Sequence, residues 1–266
     1  MNDQQFRQLL QHLGLSWRGY RKVRKGVKKR IRRHMHQLGC RDVSTYLLKL
    51  DKNEDVRLQC EQIMAVSISR FFLDRKLWET LEKEILPELI EKHREKITVW
   101  SVGCACGEEV YSLKILWGRL INFLTNVPEL EITATDMNPE YLQRAKVAIY
   151  PSSSLKEVPS HFRLIYFRER KGGKHYEVKT SLKKGIKWYT HNLRSDPPED
   201  QFHLIFLRNN LLTYYQDEFK SSAFEKVMNC LAAGGFLVIG CHENLPFESQ
   251  DLLSFSSLPY VFNKQT

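Results

Sequence analysis

The sequence predicts an α/β fold, in which an all-helical N-terminal region precedes a doubly wound parallel sheet. Residues up to about Lys96 carry apolar side chains at helical spacing. From Ile97 onward, short β-branched runs alternate with helical patterns. Parallel strands that are joined by helices form a doubly wound sheet, so the fold class follows from these two observations.

The N-terminal region is expected to form four short helices and a longer one. The apolar stripes that predict the short helices lie at Phe6 to Leu13, Tyr20 to Met35, Tyr46 to Leu50 and Val56 to Val66. A longer helix from Leu77 to Ile90 leads toward the sheet. We therefore expect a helical domain over 1–75, a linker helix over 76–96 and a sheet domain over 97–266.

The sheet domain is expected to contain five strands joined by helices, and a closing antiparallel hairpin. The predicted strands are Ile97–Val102, Leu130–Asp136, Gly185–Asn192, Phe202–Leu207 and Phe236–Gly240, and the hairpin includes Phe255 and Tyr260–Phe262. Asn138-Pro139 starts a helix, and a helix from Asp217 to Leu231 is expected to end at Gly234-Gly235. From about 151 to 184, aromatic runs around a Gly-Gly turn predict a small antiparallel insert.

The turn after the first strand indicates a ligand site. Gly103 and Gly107 lack a Cβ, and the following helix N-terminus offers free N–H groups. Glu108 and Glu109 come next, where their charge would repel a phosphate but suits an ammonium or a sulfonium, and S-adenosylmethionine carries both. Asp136 ends the second strand, where a carboxylate accepts hydrogen bonds from ribose hydroxyls. A turn without any cofactor is the alternative.

The composition argues against a membrane span, a secreted protein and a metal centre. The apolar runs are shorter than the roughly 20 residues that a spanning helix needs, and the polar N-terminus lacks a secretory signal. Six scattered cysteines are expected to be reduced thiols, which indicates a cytoplasmic protein. Cys104-Ala-Cys106 lacks the spacer of a zinc ribbon and Cys241-His242 has no second pair nearby, so no metal is expected.

Much of the net charge of +10 lies in one predicted helix, between residues 21 and 35. Its basic residues are Arg21, Lys22, Arg24, Lys25, Lys28, Lys29, Arg30, Arg32 and Arg33. Such a cluster attracts acidic proteins, nucleic acid or anionic lipid. We expect an acidic protein partner, because the helix has little of the aromatic interleaving that favours nucleic acid. A solvated helix face is the alternative, and the oligomeric state stays open.

Six short segments resemble, in order, the CheR family of S-adenosylmethionine-dependent methyltransferases. They are Ser67 to Phe72, Trp100 to Glu109, Ala134-Thr-Asp136, Asn192-Leu193, Phe206 to Asn209 and Gly234 to Glu243. The resemblance covers nearly the whole chain. It implies a Rossmann-like class I methyltransferase domain with a small β-subdomain insert, preceded by an all-helical domain, and S-adenosylmethionine as the methyl donor.

The resemblance also assigns residues to the cofactor. They are Ser67, Ser69, Gly103, Glu109, Asp136, Asn192, Leu193, Leu207 and Arg208. The serines would face the methionine end, Glu109 the amino group and Asp136 the ribose. Asn192 and the backbone of Leu193 would face the adenine. Leu207 and Arg208 would lie under the transferring methyl. The alternatives are that Asp136 caps a helix, that Ser69 starts one and that Asn192 is a turn residue.

Two positions on the acceptor side depart from the chemotaxis members of the family. Those members carry an arginine after the paired phenylalanines, expected near both the cofactor and the acceptor carboxylate, and this chain has Leu73 there, followed by Asp74. They also carry a tyrosine late in the motif that begins at Arg208, where this chain has Thr213. Both changes fall on the acceptor side, and the positions assigned to the cofactor keep polar or charged residues of a suitable kind.

We therefore expect a methyltransferase that acts on glutamate side chains of chemoreceptor-like partners, with Arg208, Tyr214 and His242 as catalytic candidates. A carboxylate acceptor needs no base, whereas an amine or hydroxyl usually must lose a proton. Candidates for such a base are Tyr214, Tyr215, His191, His242 and Glu243. The alternatives are another acceptor, either a different side chain or a small molecule, and a non-catalytic sensor that binds S-adenosylmethionine or S-adenosylhomocysteine.

Overall fold

The computed structural model describes residues 1–67 and 69–265. Ile68, which belongs to the segment Ser67 to Phe72 that resembles the CheR family, is therefore outside the described residues. The helices are α1 Asp3–His12, α2 Trp17–Tyr20, α3 Arg24–Gln37, α4 Val43–Lys52, α5 Glu54–Met64, α6 Arg75–Thr80, α7 Leu86–Lys92, α8 Glu108–Phe123, α9 Pro139–Val147, α10 Ser160–Tyr166, α11 Leu211–Tyr214 and α12 Asp217–Asn229. The strands are β1 Lys96–Val102, β2 Glu129–Asp136, β3 Ile149–Pro151, β4 Phe167–Arg170, β5 His175–Val178, β6 Ile186–Thr190, β7 Phe202–Leu207, β8 Leu231–Ile239, β9 Leu252–Phe255 and β10 Leu258–Lys264. A π-helical turn, Leu81–Ile85, joins α6 to α7.

Within the described residues, the main sheet has the strand order β6-β2-β1-β7-β8-β10-β9. The first five strands of this order are parallel, and β10 is antiparallel to both β8 and β9. The predicted α/β fold with its closing hairpin is confirmed. The chain runs outward from β1 to β2 and β6, and then crosses to β7 on the other side of β1. Ligands bind α/β sheets where the strand order reverses in this way, at the carboxyl ends of the strands.

The chain divides into two compact units. The first is helical and comprises Met1–Val66, Asn209–Phe224 and Leu245–Phe247. The second comprises Ser67–Arg208, Glu225–Asn244 and the chain from Glu248 onward, and it contains both sheets. The domain boundaries expected from the sequence stay a prediction. No helix in residues 1–67 and 69–265 is both long and apolar enough to cross a bilayer.

Polar side chains cap the first residues of some helices of the first unit, among them α1 and α4. Asn2 and Gln5 form a capping box at the start of α1, and Asp42 accepts a hydrogen bond from the backbone N–H of Thr45 at the start of α4. Their apolar faces form a core that includes Phe6, Leu9, Tyr20, Val27, Ile31 and Tyr46. The first predicted stripe, Phe6 to Leu13, is buried, and so are most residues of the second and third, whereas the fourth is only partly buried because Leu58 is 40% exposed.

The small sheet of the second unit has the strand order β3-β5-β4 and is antiparallel throughout. The predicted turn around Gly172-Gly173 joins β4 to β5, with φ of +57° and +77° at the two glycines. The aromatic run before β4 forms helix α10 instead of a strand. Phe162 and Tyr166 lie one helical turn apart there, and their ring centroids are 5.7 Å from each other.

The segment around Gly234-Gly235 also differs from the prediction. Helix α12 ends at Asn229, and both glycines belong to β8. The pairing of β8 with β7 shifts register between Phe202 and Leu204, and Gly234 has a φ of +70°. A Cβ on Gly235 would lie 2.9 Å from the carbonyl oxygen of Ala232, so the glycines allow this irregular strand to form.

Candidate functional site

The turn between β1 and α8 adopts left-handed backbone conformations. Gly103, Ala105 and Gly107 have φ values of +69°, +50° and +86°. A Cβ on Gly107 would lie 3.0 Å from both Ala145 Cβ and Trp188 Cη2, so the turn packs closely against its neighbours. Glycine adopts such conformations without strain, so the two glycines favour this turn, whereas Ala105 adopts its left-handed conformation despite a Cβ.

Asp136 holds this turn from the end of β2. One carboxylate oxygen, Oδ2, accepts a hydrogen bond from the backbone N–H of Ala105 at 2.9 Å, and Oδ1 accepts one from Asn138 at 2.8 Å. Burial raises the pKa of Asp136, and these two hydrogen bonds act in the opposite direction. Each oxygen keeps acceptor capacity for a further donor, such as a hydroxyl group. The N-cap of α9 is Asn138, whose side chain accepts from the backbone N–H of Glu140.

Glu109 lies in the first turn of α8 and links three segments. Its Oε1 accepts a hydrogen bond from Ser101 Oγ at 2.8 Å, and its Oε2 pairs with Nη1 of Arg208 at 3.0 Å. The side chains of Arg208 and Glu109 are 6% and 15% exposed. Arg208 also donates from Nη2 to the backbone carbonyl of Leu73 at 3.0 Å. The carboxyl ends of β1 and β7 and the segment before α6 therefore meet at the pair of Glu109 and Arg208.

Glu108, the first acid of the pair, is buried beside the segment that contains the two serines. Burial raises its pKa, and a hydrogen bond from Ser69 and the charge of Arg144 act in the opposite direction. Ser67 in turn forms a hydrogen bond with the thiol of Cys106. Both serines therefore lie against the glycine turn, as part of the same site.

The residues expected near the adenine follow β6, which pairs with β2. The backbone N–H of His191 donates to the carbonyl of Asp136 at 3.0 Å, so this loop starts beside the acid. Asn192 accepts a hydrogen bond from the backbone N–H of Arg194 through Oδ1, at 3.1 Å, and Leu193 is buried. Leu207 is fully buried at the end of β7, opposite Ile239 of β8.

The three catalytic candidates lie in different surroundings. Arg208 is part of the site described above. Tyr214 belongs to the first unit, on α11, where its ring centroid is 5.0 Å from that of Tyr20. His242 is exposed in a turn after β8, in which Oε2 of Glu243 accepts from the backbone N–H of Gly240 at 2.7 Å.

Two residues that sequence reasoning did not assign to the site also contribute to it. Asp74 has an Oδ2 atom 4.0 Å from Nη2 of Arg208, and Tyr260 on β10 forms a hydrogen bond with Asp74. Asp74 directly follows Leu73, the position that departs from the family pattern, so the sequence partly indicated this part of the site. Tyr260 comes from the far end of the chain, and no local pattern marks it.

The charges of the site fit a cationic ligand. Three carboxylates, those of Glu108, Glu109 and Asp136, lie at or next to one turn, and Oε2 of Glu108 is buried without a hydrogen-bond partner within residues 1–67 and 69–265. A pyrophosphate there would be repelled, whereas an ammonium or sulfonium would be stabilised. Asp136 suits a ribose at the same carboxyl edge of the sheet. These residues fit S-adenosylmethionine.

Fold and site together define a Rossmann-like, S-adenosylmethionine-dependent methyltransferase. Comparison with known protein families shows to which family of these methyltransferases the chain belongs. The model of the family described as CheR methyltransferase, SAM binding domain, matches residues 67–262. The chain belongs to the CheR family.

Similar proteins carry related names. The chemotaxis protein methyltransferase of Listeria innocua is 36% identical over 183 residues, which span 69% of this chain and 67% of that protein. The putative methyltransferase Cher3 of Pseudomonas putida is 30% identical and spans 84% of this chain and 81% of its own. Among solved structures, the N-methyltransferase NodS from Bradyrhizobium japonicum is 17% identical, with a TM-score of 0.35, and covers 69% of this chain and 70% of its own.

Proposed function

We propose that this CheR-type methyltransferase methylates glutamate side chains of an acidic, chemoreceptor-like protein. The observation that carries the proposal is the exposed basic face of α3 and the turn before it, which consists of Arg21, Lys22, Lys25, Lys29, Arg32 and Arg33. Other basic side chains of this helix have contacts within the first unit: Lys28 pairs with Asp3, and Arg30 donates to the carbonyls of Ile63 and Ala65. A face of this kind attracts an acidic surface. The names of similar proteins, such as that of Listeria innocua, support a role in chemotaxis.

The residues that we propose to hold the methyl donor are Ser67, Ser69, Gly103, Glu109, Asp136, Asn192, Leu193, Leu207 and Arg208. When bound, S-adenosylmethionine supplies a methyl group on a positively charged sulfur, which is already activated for transfer. Glu109 binds the amino group, Asp136 accepts from the ribose hydroxyls, and the glycine turn lets the ligand approach the backbone. The buried side chain of Leu207 would exclude water from the side of the site where the methyl group is transferred. The chain thus contributes alignment and a dry surface, and a carboxylate acceptor requires no base from it.

A second candidate function, methylation of another side chain or of a small molecule, is favoured by one observation. The guanidinium of Arg208 already contacts Glu109 and lies near Asp74, and position 73 is a leucine. The two acids lower the attraction of this corner for an incoming carboxylate. An amine acceptor would meet less repulsion here than a carboxylate would.

The stability of the transferred methyl group toward base distinguishes the two candidates. The full-length protein is incubated with methyl-labelled S-adenosylmethionine and an acidic protein fraction of cells that carry chemoreceptors. Glutamate methyl esters release labelled methanol in mild base, so we expect most of the label to become volatile. Label that stays on protein after base treatment would contradict glutamate methylation and favour the second candidate.

We further propose that the protein works in the cytoplasm. All six cysteines are free thiols, and five of them are buried. Reduced cysteines are typical of that compartment.

A further inference from the structure

The guanidinium of Arg208 lies between two carboxylates of the second unit. Its Nη1 atom donates a hydrogen bond to Oε2 of Glu109 at 3.0 Å, and its Nη2 atom lies 4.0 Å from Oδ2 of Asp74. Both Arg208 Nε and Asp74 Oδ2 are buried without a hydrogen-bond partner in the described part of the chain. The arginine thus has a second carboxylate within ion-pair distance, to which it is not yet hydrogen-bonded.

Binding of an amino group at Glu109 would place two cations on one carboxylate. The Arg208 side chain is 6% exposed, so water screens the repulsion between its charge and that of the ligand only weakly. A buried guanidinium also needs an anion, because an unpaired buried charge is strongly destabilising. Arg208 and the ligand would then share Glu109, and their mutual repulsion favours a movement of Arg208 toward another acid.

Asp74 is held in a position to be that acid. It is the N-cap of α6, with a φ of +72° in the left-handed region that aspartate adopts more readily than most residues with a side chain. The preceding carbonyl, of Leu73, accepts hydrogen bonds from both Arg208 Nη2 and Trp78 Nε1 at 3.0 Å. Burial and then a hydrogen bond with Asp74 raise the pKa of Tyr260, so its phenol stays a donor to this carboxylate.

We propose that Asp74, positioned by Tyr260, receives the Arg208 guanidinium when the amino group of the methyl donor binds Glu109. The inference rests on the proposed assignment of Glu109 to that amino group. Asp74 is a positioning residue, since it acts on the ligand only by drawing Arg208 away from Glu109. After the shift each cation has its own carboxylate, with no buried charge left unpaired.

The test compares two ligands by titration calorimetry. One is S-adenosylhomocysteine; the other is its deaminated analogue, which carries butanoate in place of 2-aminobutanoate and so lacks the amino group. Asp74→Asn keeps the size of the side chain but removes its charge. We expect about a tenfold rise in the Kd of S-adenosylhomocysteine and less than a twofold change for the analogue, which leaves Arg208 on Glu109. Equal changes for the two ligands, or no change for S-adenosylhomocysteine, would overturn the inference.

Further variants separate this effect from a general loss of structure. Asp74→Glu restores the charge and should bind S-adenosylhomocysteine within about threefold of the unmutated protein, and Tyr260→Phe should weaken it by about threefold without affecting the analogue. Asp251→Asn, the same change at an exposed position of the second unit, should alter neither affinity. An S-adenosylhomocysteine affinity of Asp74→Glu as low as that of Asp74→Asn would contradict the role of the charge.

Glu109→Gln tests the assignment on which the inference rests. It should weaken S-adenosylhomocysteine binding far more than binding of the analogue. If Glu109→Gln leaves the Kd of S-adenosylhomocysteine unchanged, Glu109 does not bind the amino group and the assignment is wrong. If Glu109→Gln raises this Kd and Asp74→Asn does not, the assignment stands and only the exchange of partners by Arg208 is overturned. Because no methyl acceptor is present, these results are independent of whether glutamate is methylated.

Discussion

Burial, more than neighbouring charge, shifts the pKa values of the acids at the candidate site. Burial is the largest cause of the raised pKa values of Glu108 and Asp136, and it also lowers the pKa of His191 beside them. The hydrogen bonds to the two acids act against this shift. Exposed pairs such as Glu131 with Lys187 behave differently. There the hydrogen bond from Lys187 is the largest cause of the shift, and it lowers the pKa of Glu131.

His203 is expected to make the free energy of unfolding depend on pH. Its ring centroid is 3.9 Å from that of His93, and its Nδ1 accepts a hydrogen bond from the backbone N–H of Thr98 at 3.0 Å. Burial, then the charges of His93 and Lys96, lower the pKa of His203 from 6.5 to about 4. Below pH 6.5 the unfolded chain therefore binds a proton that the folded protein does not, so the free energy of unfolding decreases as the pH falls toward about 4.

Thermal unfolding at about pH 7 and about pH 5 checks this. His203→Asn retains an acceptor for Thr98 and removes the titrating group, so its Tm should fall by several degrees less than that of the unmutated protein. His161→Asn, at an exposed position, should keep the full decrease. An identical decrease in all three proteins would show that His203 does not contribute.

Among the elements, helix α3 has one buried apolar face and one exposed basic face. Val27, Ile31, His34 and Met35 are buried, whereas Lys25, Lys29, Arg32 and Arg33 are exposed. The imidazole of His34 lies 2.7 Å from the hydroxyl of Tyr46, which satisfies a polar group inside the apolar face. Substitutions on the exposed face can therefore change binding without disturbing the core.

Reversing two charges of this face should weaken partner recognition. The double variant Lys25→Glu with Lys29→Glu is expected to raise the KM for an acidic protein acceptor by about tenfold, since it removes attraction and adds repulsion. Binding of S-adenosylhomocysteine should stay unchanged. The control is Arg94→Glu with Lys184→Glu, which makes the same charge change at exposed positions of the second unit. If the control raises the KM equally, the effect is one of net charge and not of α3.

Across the whole molecule, the sequence predicted the sheet well and the site in part. β1, β2 and β7 are continuous apolar or β-branched runs, and parallel pairing brings their carboxyl ends to one edge, so Glu109, Asp136 and Arg208 could be anticipated there. The helix α10 was not predicted, because a short aromatic run suits either a strand or a helix until its packing is known.

Contacts between distant segments were the part that could not be predicted. Asp74 and Tyr260 come together only after β10 has paired with β8, and neither position has a local pattern that points to the other. The same holds for the pairing of Arg208 with Glu109, since an arginine at a strand end has many possible partners. Such contacts depend on tertiary structure, which periodicity and spacing do not specify.

The acid-rich edge of the sheet is expected to bind S-adenosylmethionine and its product. Titration of the unmutated protein with S-adenosylhomocysteine, beside Asp136→Ala, tests it most directly. We expect saturable one-to-one binding, and a loss of about a hundredfold in affinity in the variant, because the ribose loses its acceptor and the turn loses its hydrogen bond from Ala105. Absence of binding by the unmutated protein at millimolar ligand would contradict the account.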